Sequence, residues 1–180
     1  MSKCVFICPI GIIASDIIDR LMACVEERCG INCEIYPPME TPRYAYDDRR
    51  FQYDSKMILK QMIKQCPPHN LGFMGVTALD LFVPILKYVY GLSQLDGRCS
   101  LISTYRLDPA LYGEPPDSDL LMSRIGKTAI HELGHSFGLT HCRNPRCIMF
   151  ASTKIEHTDF KQPTLCSTCL EVLKWKIKMM

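Results

Sequence analysis

The chain opens on an unbroken apolar run, Cys4-Val5-Phe6-Ile7-Cys8-Pro9-Ile10, with no polar residue alternating. Such a run predicts a strand over 3–9 that is covered on both faces. Helical spacing follows at once. Ile17, Ile18, Leu21, Met22 and Val25 predict a helix over 14–29, and Gly30 supplies its stop. Ile31 to Tyr36 is a second strand, broken by Pro37-Pro38. Strand, helix and strand in so short a span predict a βαβ unit with parallel strands. After a loop at 38–46, Phe51, Met57, Ile58, Met62 and Ile63 mark a helix over 47–66 that Pro67-Pro68 terminates. Leu71 to Val76 is a third strand, so the first half reads β-α-β-α-β, the order of a parallel sheet.

The rhythm changes after Asp80. Pro84 and Gly91 argue against a helix, and the Val, Tyr and Leu content predicts a strand near 86–92. Asp96-Gly97 is a turn signal, and Cys99 to Tyr105 is another strand. Strands joined this tightly are antiparallel neighbours, so the parallel sheet gains one antiparallel strand at its edge. A Pro/Gly loop at 107–116 leads to Asp117 or Ser118, either of which can cap a helix ending before Gly138. Leu121, Ile125, Ala129 and Leu133 recur every four residues and are expected to face the sheet. Arg124, Thr128, His131 and His135 form another stripe, expected to face outward. The fold class is α/β with α+β character.

The chain has 180 residues, 47% hydrophobic, enough for one domain with a normal core. A single domain over 1–180 is expected, in two parts, 1–138 and 139–180. A net charge of +2 gives no reason to expect nucleic acid or a membrane surface as partner, and no apolar run is long enough to span a bilayer. The N-terminal run loosely resembles a signal peptide, but Asp16 and Asp19 follow at once and a buried strand explains it better. Eleven cysteines, an odd number lying mostly in apolar segments, suit reduced thiols and a cytoplasmic location. Cys24, Cys29 and Cys33 match no standard metal spacing and read as packed thiols. A monomer is expected.

The chemistry is concentrated in His131-Glu132-x-x-His135-x-x-Gly138-x-x-His141. Two histidines four apart share one helix face, Gly138 lets the chain turn back, and His141 can then join them. Three imidazoles leave the fourth position of a tetrahedral Zn²⁺ open, as in a catalytic site. Such a pattern arises by chance in roughly one protein of this length in several thousand. Glu132 is placed to accept a proton from zinc-activated water and deliver it to the leaving amine, while the metal polarises the scissile carbonyl. Next come Cys142, Cys147, Cys166 and Cys169, two short-spaced pairs that read as a closed, structural Cys₄ zinc site. Disulfides suit the expected compartment poorly, and Cys166 does not follow a strand as a redox pair would. A tail this small needs a metal staple.

The His-Glu-His-Gly-His pattern with Met149 after it is similar to the metzincin zinc peptidases. Continued through Cys142-x₄-Cys147-x-Met149 and Cys166-x-x-Cys169, it resembles the archaemetzincins. The Leu81 to Leu107 stretch, Arg124 and Lys127 share in the likeness more weakly. The resemblance implies a zincin-like fold, a mixed twisted sheet with an antiparallel edge strand and backing helices, and a small C-terminal part stapled by zinc. It also implies two Zn²⁺ per chain, Met149 as the Met-turn residue beneath the catalytic zinc, and a peptide or protein substrate, cleaved as an aminopeptidase or a narrow endopeptidase. A tyrosine that assists some metzincins is replaced by Ala151; His157 and Tyr105 are weak substitutes. Asp159 suits either a hydrogen bond to a ligand histidine or a loop cap. Lys174, Lys176 and Lys178 read as a solvated face. Two functions remain open here: a zinc-dependent peptidase, which the intact Glu132 favours, and a zinc-stabilised peptide-binding protein with little activity.

Overall fold

The apolar runs at 3–9 and 71–76 become neighbours at the centre of one sheet. The computed structural model describes residues 4–68 and 70–179, so Lys3, the first residue of the expected opening strand, lies outside it. The strands are β1 (Val5–Ile10), β2 (Cys33–Ile35), β3 (Tyr46–Asp47), β4 (Gln52–Asp54), β5 (Gly72–Thr77), β6 (Leu81–Phe82), β7 (Gly91–Ser93) and β8 (Cys99–Ser103). The helices are α1 (Ser15–Cys29), α2 (Ser55–Gln65), α3 (Ser118–Ser136), α4 (Ile155–Phe160) and α5 (Ser167–Met179). The main sheet has the order β2-β1-β5-β8-β7. β1 is parallel to β2 and β5, β5 is parallel to β8, and only β7 runs antiparallel, at the edge as expected.

Both faces of the sheet are covered, which is why β5 and β8 are buried at every position. Val5, Ile7, Met74, Val76 and Ile102 point to the side of α1 and α3. Cys8, Ile10, Phe73, Cys99 and Leu101 point to α2, through Ile58, Leu59 and Met62. Asp117 caps α3 by accepting from the backbone N–H of Asp119 (3.0 Å) and Leu120 (2.9 Å).

Four differences from the sequence reading have physical causes. The helix expected over 47–66 begins only at Ser55. Asp47 Oδ1 instead accepts from the N–H groups of Arg49 and Arg50, closing a turn between β3 and β4, and Asp54 caps the helix that follows. The strand expected near 86–92 is displaced to β7. Arg50 and Gln52 side chains occupy the carbonyls of Leu86 and Lys87, leaving less of that backbone for a strand ladder. A small second sheet, β3-β4-β6, forms around this region.

Of the stripe expected to face outward, Arg124, Thr128 and His131 are instead buried and His135 is half-buried. Arg124 is 1% exposed. It makes a bidentate pair with Asp159, both contacts 2.8 Å, and also donates to the Leu107 carbonyl and to Glu114. Lys127 Nζ donates to the carbonyls of Thr158 and Asp159 at the end of α4. The side of α3 turned away from the sheet is thus roofed by the chain after Gly138, in which neither α4 nor α5 was anticipated.

The Arg124–Asp159 pair generates a stability test. Asp159→Ala is expected to cost about 3 kcal/mol, the low end for removing one partner of a buried pair because Asp159 keeps some contact with water. Urea unfolding would read this as a lower midpoint, and an unchanged midpoint would show that the pair contributes nothing.

Candidate active site

The site is built on the last turn of α3. Gly138 has φ +87°, and its N–H bonds to the His135 carbonyl while Leu139 N–H reaches back to the Gly134 carbonyl. This is a Schellman ending, which a residue with a Cβ adopts only with strain. It also aims the Leu139 carbonyl at the ring of His135, which donates to it from Nδ1 at 2.7 Å. His131 Nδ1 likewise donates to the Ile148 carbonyl at 2.8 Å. A carbonyl can only accept, so both rings carry their proton on Nδ1 and present a bare Nε2. Those two Nε2 atoms lie 3.1 Å apart. His141 joins them, one ring nitrogen from each of the three histidines lying within 4.8 Å of the others. Burial holds all three below the ordinary histidine range, which favours the neutral imidazole a metal requires.

Glu132 sits next to this triad, under the edge strand. Ser93 of β7 donates its hydroxyl to the Glu132 carboxylate and also lies 2.9 Å from the Glu132 backbone carbonyl. Burial pushes the carboxyl up to about 7, opposed by the Ser93 hydrogen bond and the Lys161 charge. The approach of α3 to β7 is close because Gly91 has no side chain. A Cβ there would stand 2.7 Å from both Glu132 Cγ and the Leu101 carbonyl oxygen. Between β7, α3 and the C-terminal segment lies a cleft of about 840 Å³, walled by Val83, Val89, Leu92, Tyr88 and Tyr90 and floored by the histidines and Glu132.

The four cysteines gather in a second cluster, joined to the first in the chain by His141-Cys142. Cys142, Cys147, Cys166 and Cys169 have their sulfurs within 4.8 Å of one another. Two backbone N–H groups already point at this cluster, Asn144 to Cys142 and Cys166 to Cys147, each at 3.4 Å. Four convergent thiols with amide donors fit a tetrahedral thiolate metal site. Met149 is fully buried and packs against Gly134, the residue before His135 in α3. The Cys142 N–H bonds to the Met149 carbonyl at 2.9 Å, tying the two clusters together through backbone.

The profile of peptidase family M54 matches residues 9–175. The archaemetzincin of Methanocaldococcus jannaschii is 40% identical over 166 residues, spanning 92% of this chain and 90% of that protein. The chain belongs to the archaemetzincins, peptidase family M54. The crystal structure of the Methanopyrus kandleri archaemetzincin superposes with a TM-score of 0.82 at 30% identity, covering 97% of this chain and 96% of that one. A solved zinc-dependent peptidase of Methanocorpusculum labreanum gives 0.84 at 25% identity, covering 94% and 99%. This archaemetzincin is therefore a zinc metallopeptidase with the mixed α/β fold of its relatives, and it acts on peptide or protein substrates. The peptide-binding alternative finds no support.

Several finer expectations change within this archaemetzincin. Asp159 pairs with Arg124 and hydrogen-bonds none of the three histidines; the carbonyls of Ile148 and Leu139 hold the rings of His131 and His135 instead. Neither Tyr105 nor His157 is among the residues lining the cleft. Lys176 is not simply solvated, since it pairs with Asp96 at 2.8 Å across the α3 ending. Cys24, Cys29 and Cys33 are thiols pushed up by burial, Cys29 to about 11 and Cys33 to about 12, and they form no cluster of the metal-holding kind among the described residues. Lys161 lines the cleft and escaped the sequence reading altogether. Only its position, twelve residues after Met149 and outside every motif, was available there.

Gly91→Ala tests the close approach of β7. Its Cβ would force Glu132 and the edge strand apart, and a misplacement on the order of 1 Å should lower kcat/KM by about 10²-fold. Steady-state kinetics would check it, and wild-type kinetics in this variant would refute the account of the contact.

Proposed function

We propose that His131, His135 and His141 hold the catalytic zinc and that Glu132 is the general base. Cys142, Cys147, Cys166 and Cys169 hold a second, structural zinc, making two Zn²⁺ per chain. The observation that carries this is the pair of Nε2 atoms 3.1 Å apart with the Ser93-held carboxylate of Glu132 beside them in one cleft. Bound there, zinc supplies a Lewis acid and lowers the pKa of water at the site. Glu132 takes the proton of the attacking water and returns it to the leaving amine. β7 has its outer edge open to the cleft and aligns an extended substrate by strand addition. Met149 packs beneath the ligands as the Met-turn residue.

Of the two cleavage modes, internal cleavage is favoured, as a narrow endopeptidase. Glu132 is the only carboxylate among the described residues lining the cleft, so no acidic group is left over to receive a free α-amine. The chain works as one catalytic domain over 1–180, with 139–180 completing the site begun by 1–138. A monomer suffices, because one chain contributes every group named. None of the eleven cysteines is paired in a disulfide, which suits the cytoplasm. Neither nucleic acid nor membrane is a partner in this reading; the net charge is only +2, and no helix among the described residues is long and apolar enough to cross a membrane.

Metal analysis with cleavage of peptides bearing free or acetylated amino termini tests these assignments. Wild type and Glu132→Ala should both carry two zincs, and the variant should lose about 10³-fold in activity. Acetylated peptides should be cleaved as well as free ones. Equal cleavage by both proteins would remove Glu132 from the chemistry, and cleavage of free peptides alone would point to an aminopeptidase.

The backbone tie between the clusters makes a further prediction. Cys169→Ser should weaken zinc at the histidines about tenfold or more, as loss of supporting contacts does. Chelator competition would measure it, and unchanged affinity would show the two sites to be independent.

A further inference from the structure

Lys161 is a buried cation in the active-site cleft, and none of the ion pairs among the described residues includes it. It directly follows α4 and is 5% exposed. Its Nζ donates to the Phe150 carbonyl at 2.6 Å and to the Ile148 carbonyl at 3.2 Å, the two residues on either side of Met149. The Ile148 oxygen is the same atom that accepts from His131 Nδ1. The charges of Glu132 and Cys147 both favour keeping the ammonium protonated. Burial opposes that most, because an ammonium without a carboxylate in contact is expensive to remove from water, and the charge of Lys127 opposes it too. A methionine of similar length would bury at lower cost, so stability does not account for a lysine at this place.

The position of the side chain is itself fixed from the helix that carries the histidines. Lys127 of α3 caps the end of α4 through the carbonyls of Thr158 and Asp159, and Lys161 follows two residues later. Its ammonium is thereby held at a fixed height above α3.

We propose that Lys161 is a positioning residue for the catalytic metal: it pins the carbonyls of Ile148 and Phe150 and, through the Ile148 oxygen it shares with His131, sets the direction in which His131 presents Nε2. This rests on the reading of His131 as a zinc ligand. A carbonyl with one hydrogen bond can swing about the peptide axis; with a second donor on its other lone pair the plane is locked. Removing the ammonium frees the Met-turn peptides to rotate and the His131 ring to follow them. The cysteine cluster takes no hydrogen bond from Lys161 and stays intact.

The test is zinc competition with a graded chelator on K161M and K161R in the full chain, beside wild type, with kinetics. In K161M the histidine-site zinc should bind about 10- to 100-fold more weakly, the range for supporting contacts. The cysteine-site zinc should weaken far less, since only the Cys142–Met149 backbone bond links it to these peptides, and kcat should fall with KM held. K161R keeps the charge and the donors and should recover most of the affinity; it also keeps the test alive if K161M fails to fold. Histidine-site affinity in K161M within twofold of wild type would overturn the proposal. So would an equal loss at both sites, which would mean a general structural role. A wild-type protein holding no zinc on its histidines would overturn the ligand assignment and the proposal with it, and that result is read before any variant is compared.

Discussion

An imidazole serves a metal best when its other nitrogen is already committed, and two of the three histidines are held in this way. His131 spends Nδ1 on the Ile148 carbonyl and His135 spends Nδ1 on the Leu139 carbonyl. Neither acceptor lies in the helix that carries the rings. Leu139 is brought there by the ending at Gly138, and Ile148 by the segment that also carries Met149 and Cys147. Two histidines a helical turn apart are therefore aimed by backbone that comes later in the chain. The C-terminal segment is part of the site and not an appendage to it.

The opposite wall follows from the same economy of space. α3 must approach the edge strand closely for Ser93 to reach Glu132, and Gly91 permits it. The single antiparallel strand of the sheet thus has two neighbours of different kinds. It pairs with β8 on one side, and over its end it holds the carboxylate.

Much of this was legible in the chain. The order of the main-sheet strands and helices through Val76 came from apolar period, though not β3 and β4, and the antiparallel edge came from Asp96-Gly97. The histidines and cysteines were legible because metal chemistry demands fixed spacings. What escaped was decided by contacts between segments far apart in sequence. Arg50 and Gln52 capture the carbonyls of residues 86 and 87, which moved the edge strand to 91–93. Arg124 and Thr128 looked solvent-facing because the helical period assigns a side and does not say what covers it. Lys161 carries no local signal, since its meaning depends on the Met-turn carbonyls it meets. Asp159 was rightly singled out, but its partner is an arginine and not a histidine.

The pair of Lys176 with Asp96 spans Gly138 and joins α5 to the turn between β7 and β8. Cys166 and Cys169 lie just before it in the same stretch of chain. Both follow His131 and Glu132 in the order of synthesis, so the groups of the proposed active site leave the ribosome before the cluster and tether that complete their surroundings. On the proposed reading, competence to cut peptides waits for residues well downstream of those that do the cutting.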